Sequence, residues 1–238
     1  MMMRFGVVVF PGTWSDCDFY YVISEVLHQP VRYVWHRDRD LTGLDCVILP
    51  GGFSYGDYLR AGAVAGRSPV IEMLSAFTAR GGVVLGSCNG FQILCEAGLL
   101  PGALMRNECL QYRCQSVHLS VDNADTPFTR GLAGRVLTMP ISHGEGKYYA
   151  DAATLATLKE RRQIVFRYVD VEGRATRAAN PNGSLDNIAG VISEDGNVLG
   201  LMPHPERAAE GVVGGTDGLA LFQSLLDSLV EDGTFLSR

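Results

Sequence analysis

The apolar positions of this chain fall first into short unbroken runs and later into alternating ones. Phe5 to Phe10 is continuous and stops at Pro11-Gly12, as a strand covered on both faces would. Val31 to Trp35, Asp45 to Leu49 and Val83 to Leu85 are further strand candidates, and the second of these ends in Pro50-Gly51-Gly52. Between the runs the spacing turns helical, with Phe19, Val22, Ile23 and Val26 inside Asp18 to Leu27. Val70, Met73, Leu74 and Phe77 do the same inside Pro69 to Ala79. Strands alternating with helices predict right-handed crossovers and an α/β fold: a doubly wound, mostly parallel sheet flanked by helices.

After Gly102 the helical spacing drops out. Leu110 to Val121, Val136 to Ile141, Ile164 to Val171 and Ile188 to Leu201 read as strands, and "SEDGNV", Ser193 to Val198, carries an Asp-Gly hairpin signal. An antiparallel region added to the parallel one is therefore expected. Ala179 to Asn187 reads as a turn-rich surface loop, and Thr216 to Leu229 as a closing amphipathic helix. No repeat or linker divides the chain, so one domain over 1–238 is expected.

Composition narrows the chemistry. With 47% hydrophobic residues the chain can bury a large core, and its net charge is −6 with 20 scattered Lys and Arg. The longest basic run, Lys159 to Arg162, reads as a solvated helix end, so neither nucleic acid nor an anionic membrane is an expected partner. The apolar run at the N-terminus is too short for a signal peptide or a membrane span. None of the six cysteines forms a C-x-x-C pair or sits at zinc-ligand spacing from a histidine. No metal site and no disulfide framework are expected, and the thiols should be reduced in a cytoplasm. Each cysteine is then a small core filler or a nucleophile.

Cys88 has the context of a nucleophile. In "VVLGSCNGFQILCEAGLLPG", Val83 to Gly102, an apolar strand meets Gly86-Ser87-Cys88-Asn89-Gly90 and a helix follows directly, ending near Gly98. This is the strand–turn–helix elbow with cysteine in the serine place, where flanking glycines make room for a strained turn. The helix N-terminus favours a thiolate there, and the Asn89 N–H is free to donate to an oxyanion. On this motif alone, a small residue in a tight turn explains Cys88 about as well.

The choice depends on a base. Of the five histidines, His28 and His36 lie on surface-like sequence and His118 in an alternating strand. His204, in "GLMPHPERA", follows an apolar strand and is pinned between two prolines, with Glu206 two residues on. Residues two apart in extended chain point the same way, so Glu206 is suited to hold the second imidazole nitrogen. Together with the elbow this predicts a triad of Cys88, His204 and Glu206. Gly51-Gly52, at another strand end, offers a second oxyanion donor. His143 and Glu145 read either as a second acid–base pair or as part of a flexible turn, and Cys95 as core.

With these residues in place, the chain resembles class I glutamine amidotransferases over about Phe5 to Leu229. "PGGFSYGDYLRAGA", "GSCNGFQILCEAGLLPG", "HGEGKY" and "GLMPHPE" look, within that class, like the glutaminase subunits of purine biosynthesis. The resemblance implies a flavodoxin-like core and attack by Cys88 on the side-chain amide carbon of glutamine. A thioester and ammonia result, then glutamate after hydrolysis. It implies that His204 moves protons, that Glu206 orients it, and that the N–H groups of Gly52 and Asn89 hold the oxyanion. Gln92, one turn after the nucleophile, helps seat the glutamine. It further implies no cofactor in this chain, with ATP and Mg belonging to a large synthase partner that makes formylglycinamidine ribonucleotide, and a small accessory subunit as a further partner. No Gly-x-x-x-x-Gly-Lys sequence occurs, in keeping with ATP residing elsewhere. The resemblance puts Ile141 to Ala150 near the site mouth, in partner contact or gating. The segment at Trp14-Ser15-Asp16 and Ser87 depart from the class pattern. The rival readings are an amidotransferase or cysteine hydrolase for another substrate, and a non-catalytic regulatory subunit.

Overall fold

The computed structural model describes residues 2–232, and side chains through Ser228. The early strand candidates become parallel strands: β1 (Phe5–Val9), β2 (Val31–Trp35), β3 (Cys46–Leu49) and β4 (Val83–Ser87). β11 (Val198–Leu201), read from the sequence with the antiparallel region, instead joins them parallel to β4. β10 (Ile188–Ile192), β9 (Ile164–Val169), β6 (Arg113–Val121) and β7 (Val136–His143) extend the same sheet antiparallel, in the order β2-β1-β3-β4-β11-β10-β9-β6-β7. The sheet is thus parallel at one end and antiparallel at the other, joined through β11. Both predicted regions share one sheet. A separate two-stranded piece, β5 (Ala103–Met105) with β8 (Lys147–Tyr149), was not read from the sequence, because each strand has only three residues.

Both faces of β1, β3 and β4 are covered, as unbroken runs require, while the edge strand β2 exposes Arg32, Tyr33 and Trp35. Successive residues of β3 alternate between two cores: Cys46 and Ile48 join Phe5, Leu85 and Phe222 on one face, while Val47 and Leu49 join Val84, Leu74 and Phe91 on the other. α1 (Asp16–Tyr21) and α5 (Asp217–Asp232) lie on the first face, where Phe19 meets Phe222 edge-on at 6.1 Å. The expected helix at Asp18–Leu27 starts two residues earlier and widens into a π-turn over Val22–Val26. On the second face, α2 (Pro69–Ala79) starts at its proline and α3 (Asn89–Glu96) follows β4 directly. α4 (Ala152–Glu160), too weakly patterned to be read in advance, is capped by Asp151 accepting from the Thr154 N–H, and the Lys159–Arg162 run is its end. The Leu229 side chain lies outside the described residues.

β3, β4 and β11 are neighbours, with Leu49 paired to Gly86 and Leu201 to Ser87. Their carboxyl ends therefore open at one level, and the three loops that follow must meet. No helix among the described residues is long and apolar enough to cross a membrane.

Candidate active site

Cys88 occupies the corner between β4 and α3 with φ 51 and ψ −106, a conformation an L-residue holds only when its surroundings impose it. The surroundings are close. A Cβ on Gly86 would fall 2.8 Å from the Gly90 carbonyl, and one on Gly90 would fall 1.9 Å from the Leu49 carbonyl oxygen. Only glycine lets α3 start this near β3. The Cys88 N–H donates to the Leu201 carbonyl at 2.8 Å, fastening the elbow to β11.

The chain leaving β11 brings the base. His204 is 3% exposed and its Nδ1 lies 2.6 Å from Glu206 Oε1; the pairing forms as expected, but across a 3-10 turn over Pro205–Arg207 rather than along extended chain. Its backbone N–H donates to Pro140 of β7 at 2.9 Å. The other ring nitrogen, Nε2, is buried without a conventional hydrogen bond and faces the thiol. A Cβ on Gly51 would sit 2.6 Å from His204 Cε1 and 3.3 Å from Cys88 Cβ, so the imidazole and the thiol share one small space. Burial opposes charge on His204, but the Glu206 carboxylate and then Cys88 outweigh it and raise its pKa to about 10. Glu206 and Cys88 thus favour the charged form of the ring.

Two N–H groups are left over nearby. Gly52 has φ 152 and its N–H donates to nothing among the described residues, while the Gly51 N–H is taken by Ser15 Oγ at 2.9 Å. The Asn89 N–H is a first-turn amide of α3 with no side-chain cap. Both belong to strand-end loops that meet at Cys88. The thiol, Gly51-Gly52 and His204 line a cleft of about 170 Å³, closed at the sides by Trp14, Phe53, Tyr112, Ser142 and Arg207.

Gln92 is buried and does not line that cleft. Its Oε1 accepts from Asn89 Nδ2 at 2.9 Å and its Nε2 donates to the Glu145 carbonyl at 2.6 Å, while Asn89 Oδ1 accepts from the Ser54 N–H. Gln92 thus ties the loop after β3 to the one after β7.

Several site residues had no functional signal in the sequence. Ser87, one of the departures from the class pattern, donates from Oγ to the Pro203 carbonyl at 3.1 Å and so binds the elbow to the segment carrying His204. Ser15, another, holds Gly51, and Trp14 packs edge-on against Phe53 at the mouth. His143 is no flexible-turn residue: it is 3% exposed, and Asn182, from the supposed surface loop, donates to its Nε2 at 3.0 Å. His36 is also buried, with Nδ1 2.7 Å from the Tyr55 hydroxyl. No group of three or more His, Cys, Asp or Glu among the described residues is arranged to hold a metal.

A thiol beside a charged imidazole, an orienting carboxylate and two unspent N–H groups can perform acyl transfer through a thioester. Residues 3–215 match the CobB/CobQ-like glutamine amidotransferase domain. Among similar proteins is the phosphoribosylformylglycinamidine synthase subunit PurQ of Moorella thermoacetica, 61% identical over 94% of this chain and 96% of that protein. The same subunit of Salinibacter ruber is 54% identical over 95% of this chain and 97% of its own. A chain in the structure of PurLQS from Thermotoga maritima superposes with a TM-score of 0.85 at 44% identity, covering 96% of this chain and all of that one. A putative GMP synthase subunit from Thermoplasma acidophilum shares the fold at TM-score 0.60 and 16% identity.

Proposed function

The chain belongs to the CobB/CobQ-like glutamine amidotransferase family, and from that premise we propose that it is the glutaminase subunit of a phosphoribosylformylglycinamidine synthase. Cys88, as a thiolate paired with the His204 imidazolium, attacks the carboxamide carbon of glutamine, and the tetrahedral oxyanion is held by the N–H groups of Gly52 and Asn89. His204, as imidazolium, gives its proton to the departing nitrogen, and ammonia leaves a γ-glutamyl thioester. The neutral imidazole then takes a proton from water as it attacks the thioester, releasing glutamate and restoring the thiolate–imidazolium pair. Glu206 fixes the tautomer and balances the charge on His204 throughout. Each oxyanion donor contributes about 3 kcal/mol to the transition state. Gln92 serves the glutamine seat by holding its two walls in register.

The observation that carries this reading is the meeting of a strained thiol, the His204–Glu206 pair at 2.6 Å and two free N–H groups on three adjacent strand ends. The ammonia passes to a large synthase partner, the counterpart of the other subunits in the PurLQS assembly, where formylglycinamidine ribonucleotide is made with ATP and Mg. No cofactor is assigned to this chain. Its place is the cytoplasm, where Cys88, free in the structure, stays reduced.

The test is Cys88→Ser in the assembled complex. Glutamine-dependent synthesis should disappear while ammonia-dependent synthesis persists at the parent rate. Equal loss of both would make the cysteine structural and remove the glutaminase reading.

A further inference from the structure

His143 is the last residue of β7 and plays no part in the steps above, yet it is buried beside them. Its neighbours fix its proton. Asn182 Nδ2 donates to the Gly146 carbonyl at 2.8 Å, and Asn182 Oδ1 accepts from the Ser184 N–H at 3.0 Å. A carbonyl only accepts and an N–H only donates, so the amide orientation is determined. The other Nδ2 hydrogen lies between His143 Nε2 at 3.0 Å and the Tyr168 hydroxyl at 3.4 Å; an Nε2–H would face a nitrogen that only donates, so Nε2 carries the lone pair. The ring proton is on Nδ1, which is buried and unpartnered. A charged ring would set an Nε2–H against the Asn182 donor.

A second asparagine grips the same segment. Asn107 Nδ2 donates to the His143 carbonyl at 2.9 Å, and Asn107 Oδ1 accepts from the Gly146 N–H at 3.0 Å. A Cβ on Gly146 would lie 2.1 Å from His143 Nε2, so the ring is wedged against the backbone. This segment carries the Ser142 carbonyl, 3.6 Å from the Cys88 sulfur, and the Glu145 carbonyl that holds Gln92.

We propose that His143 is a positioning residue: Asn182 locks it in the uncharged Nδ1–H tautomer, and this pair bolts residues 142–146 against the thiol. The inference rests on the glutaminase reading of Cys88. The ionisable groups around the ring are Cys88 and His204 with Glu206 behind it, Tyr168 on β9, Arg113 opposite on β6, and Glu145 on the same segment. Arg113 is occupied with the Cys109 sulfur at 3.2 Å, and Tyr168 lies 3.4 Å from Asn182. None of them supplies His143 with a carboxylate partner. Burial, aided by the charge on His204, pushes its pKa down to about 3.

Nitrogen NMR of the full chain with labelled histidine rings reads the tautomer directly. His143 should show a protonated Nδ1 and a bare Nε2, unchanged from about pH 5 to 8. A protonated Nε2, or a ring that titrates in that window, would overturn the proposal. The rate at which a diazo-ketone glutamine analogue alkylates Cys88 then tests position. His143→Ala should slow it about tenfold, as loss of one buried hydrogen bond implies. His143→Gln, whose amide oxygen can accept from Asn182, should recover most of that rate with the parent's pH profile. Parent-like alkylation in His143→Ala contradicts the proposal, as does a shifted acid limb in His143→Gln. If His143→Ala does not fold, the tautomer and the His143→Gln profile still decide. Absence of any Cys88 adduct in the unmodified chain would instead fail the glutaminase reading and leave the tautomer result standing.

Discussion

His204 and His143 are neighbouring buried imidazoles pushed in opposite directions, the first toward its charged form by Glu206 and the second toward its neutral form by burial. His204, with its pKa raised to about 10, adds stability that is complete below its unfolded value near 6.5 and fades as pH rises through 10. His143, lowered to about 3, does the reverse: the unfolded chain binds a proton the folded chain refuses, so stability falls as pH drops from about 6.5 toward 3. That one group should contribute a slope of about 1.4 kcal/mol per pH unit, which His143→Gln removes. Denaturant melts of parent and variant at several acid pH values check this, and parallel slopes would contradict it. Glu206→Gln keeps a hydrogen bond to His204 but not the charge. It should lower glutaminase kcat on the order of a thousandfold or more with little change in fold, measured as glutamate release and by circular dichroism. A loss below tenfold would mean His204 needs no carboxylate.

The elements were the most legible part of the sequence where burial alone decides them. Unbroken runs gave β1, β3 and β4 because both faces of those strands are covered, and Pro69 marked the start of α2. Alternation in β7 gave an antiparallel strand with one covered face. The three-residue strands β5 and β8 and the weakly patterned α4 carry too little periodicity to be read locally. The elbow was legible from its glycines, but the reason for Ser87 was not, since its partner Pro203 lies 116 residues away. Ser87→Ala should cost about 1 kcal/mol in stability and reduce kcat more than it raises KM, because the elbow and the His204 segment would lose a direct tie. Unchanged kinetics would make that bond incidental. Gly90→Ala is more severe: its Cβ would overlap the Leu49 carbonyl, so soluble yield and melting temperature should both drop. A parent-like melting temperature would show that α3 can move off β3.

Across the whole molecule, the site is a consequence of strand order. β11 enters the sheet beside β4 after more than a hundred intervening residues, which is how His204 reaches Cys88. The elbow and the His-x-Glu spacing were readable and together predicted the triad, and the resemblance supplied the substrate. What sequence left out was the long-range packing behind the site. Asn182 looked like one asparagine among several in a turn-rich loop, and only the fold puts it on His143. The open cleft also bears on the partner. We expect the isolated chain to hydrolyse glutamine slowly and the synthase subunit to accelerate it, followed as glutamate formed with and without partner. Equal turnover in both would show that the site needs no completion.

The most direct test of the account maps the adduct left by a diazo-ketone glutamine analogue on the folded chain. The account gives one adduct, on Cys88, absent in Cys88→Ser and slowed in His204→Gln. Labelling confined to the exposed Cys17, Cys109 or Cys114, or none at all, would contradict it.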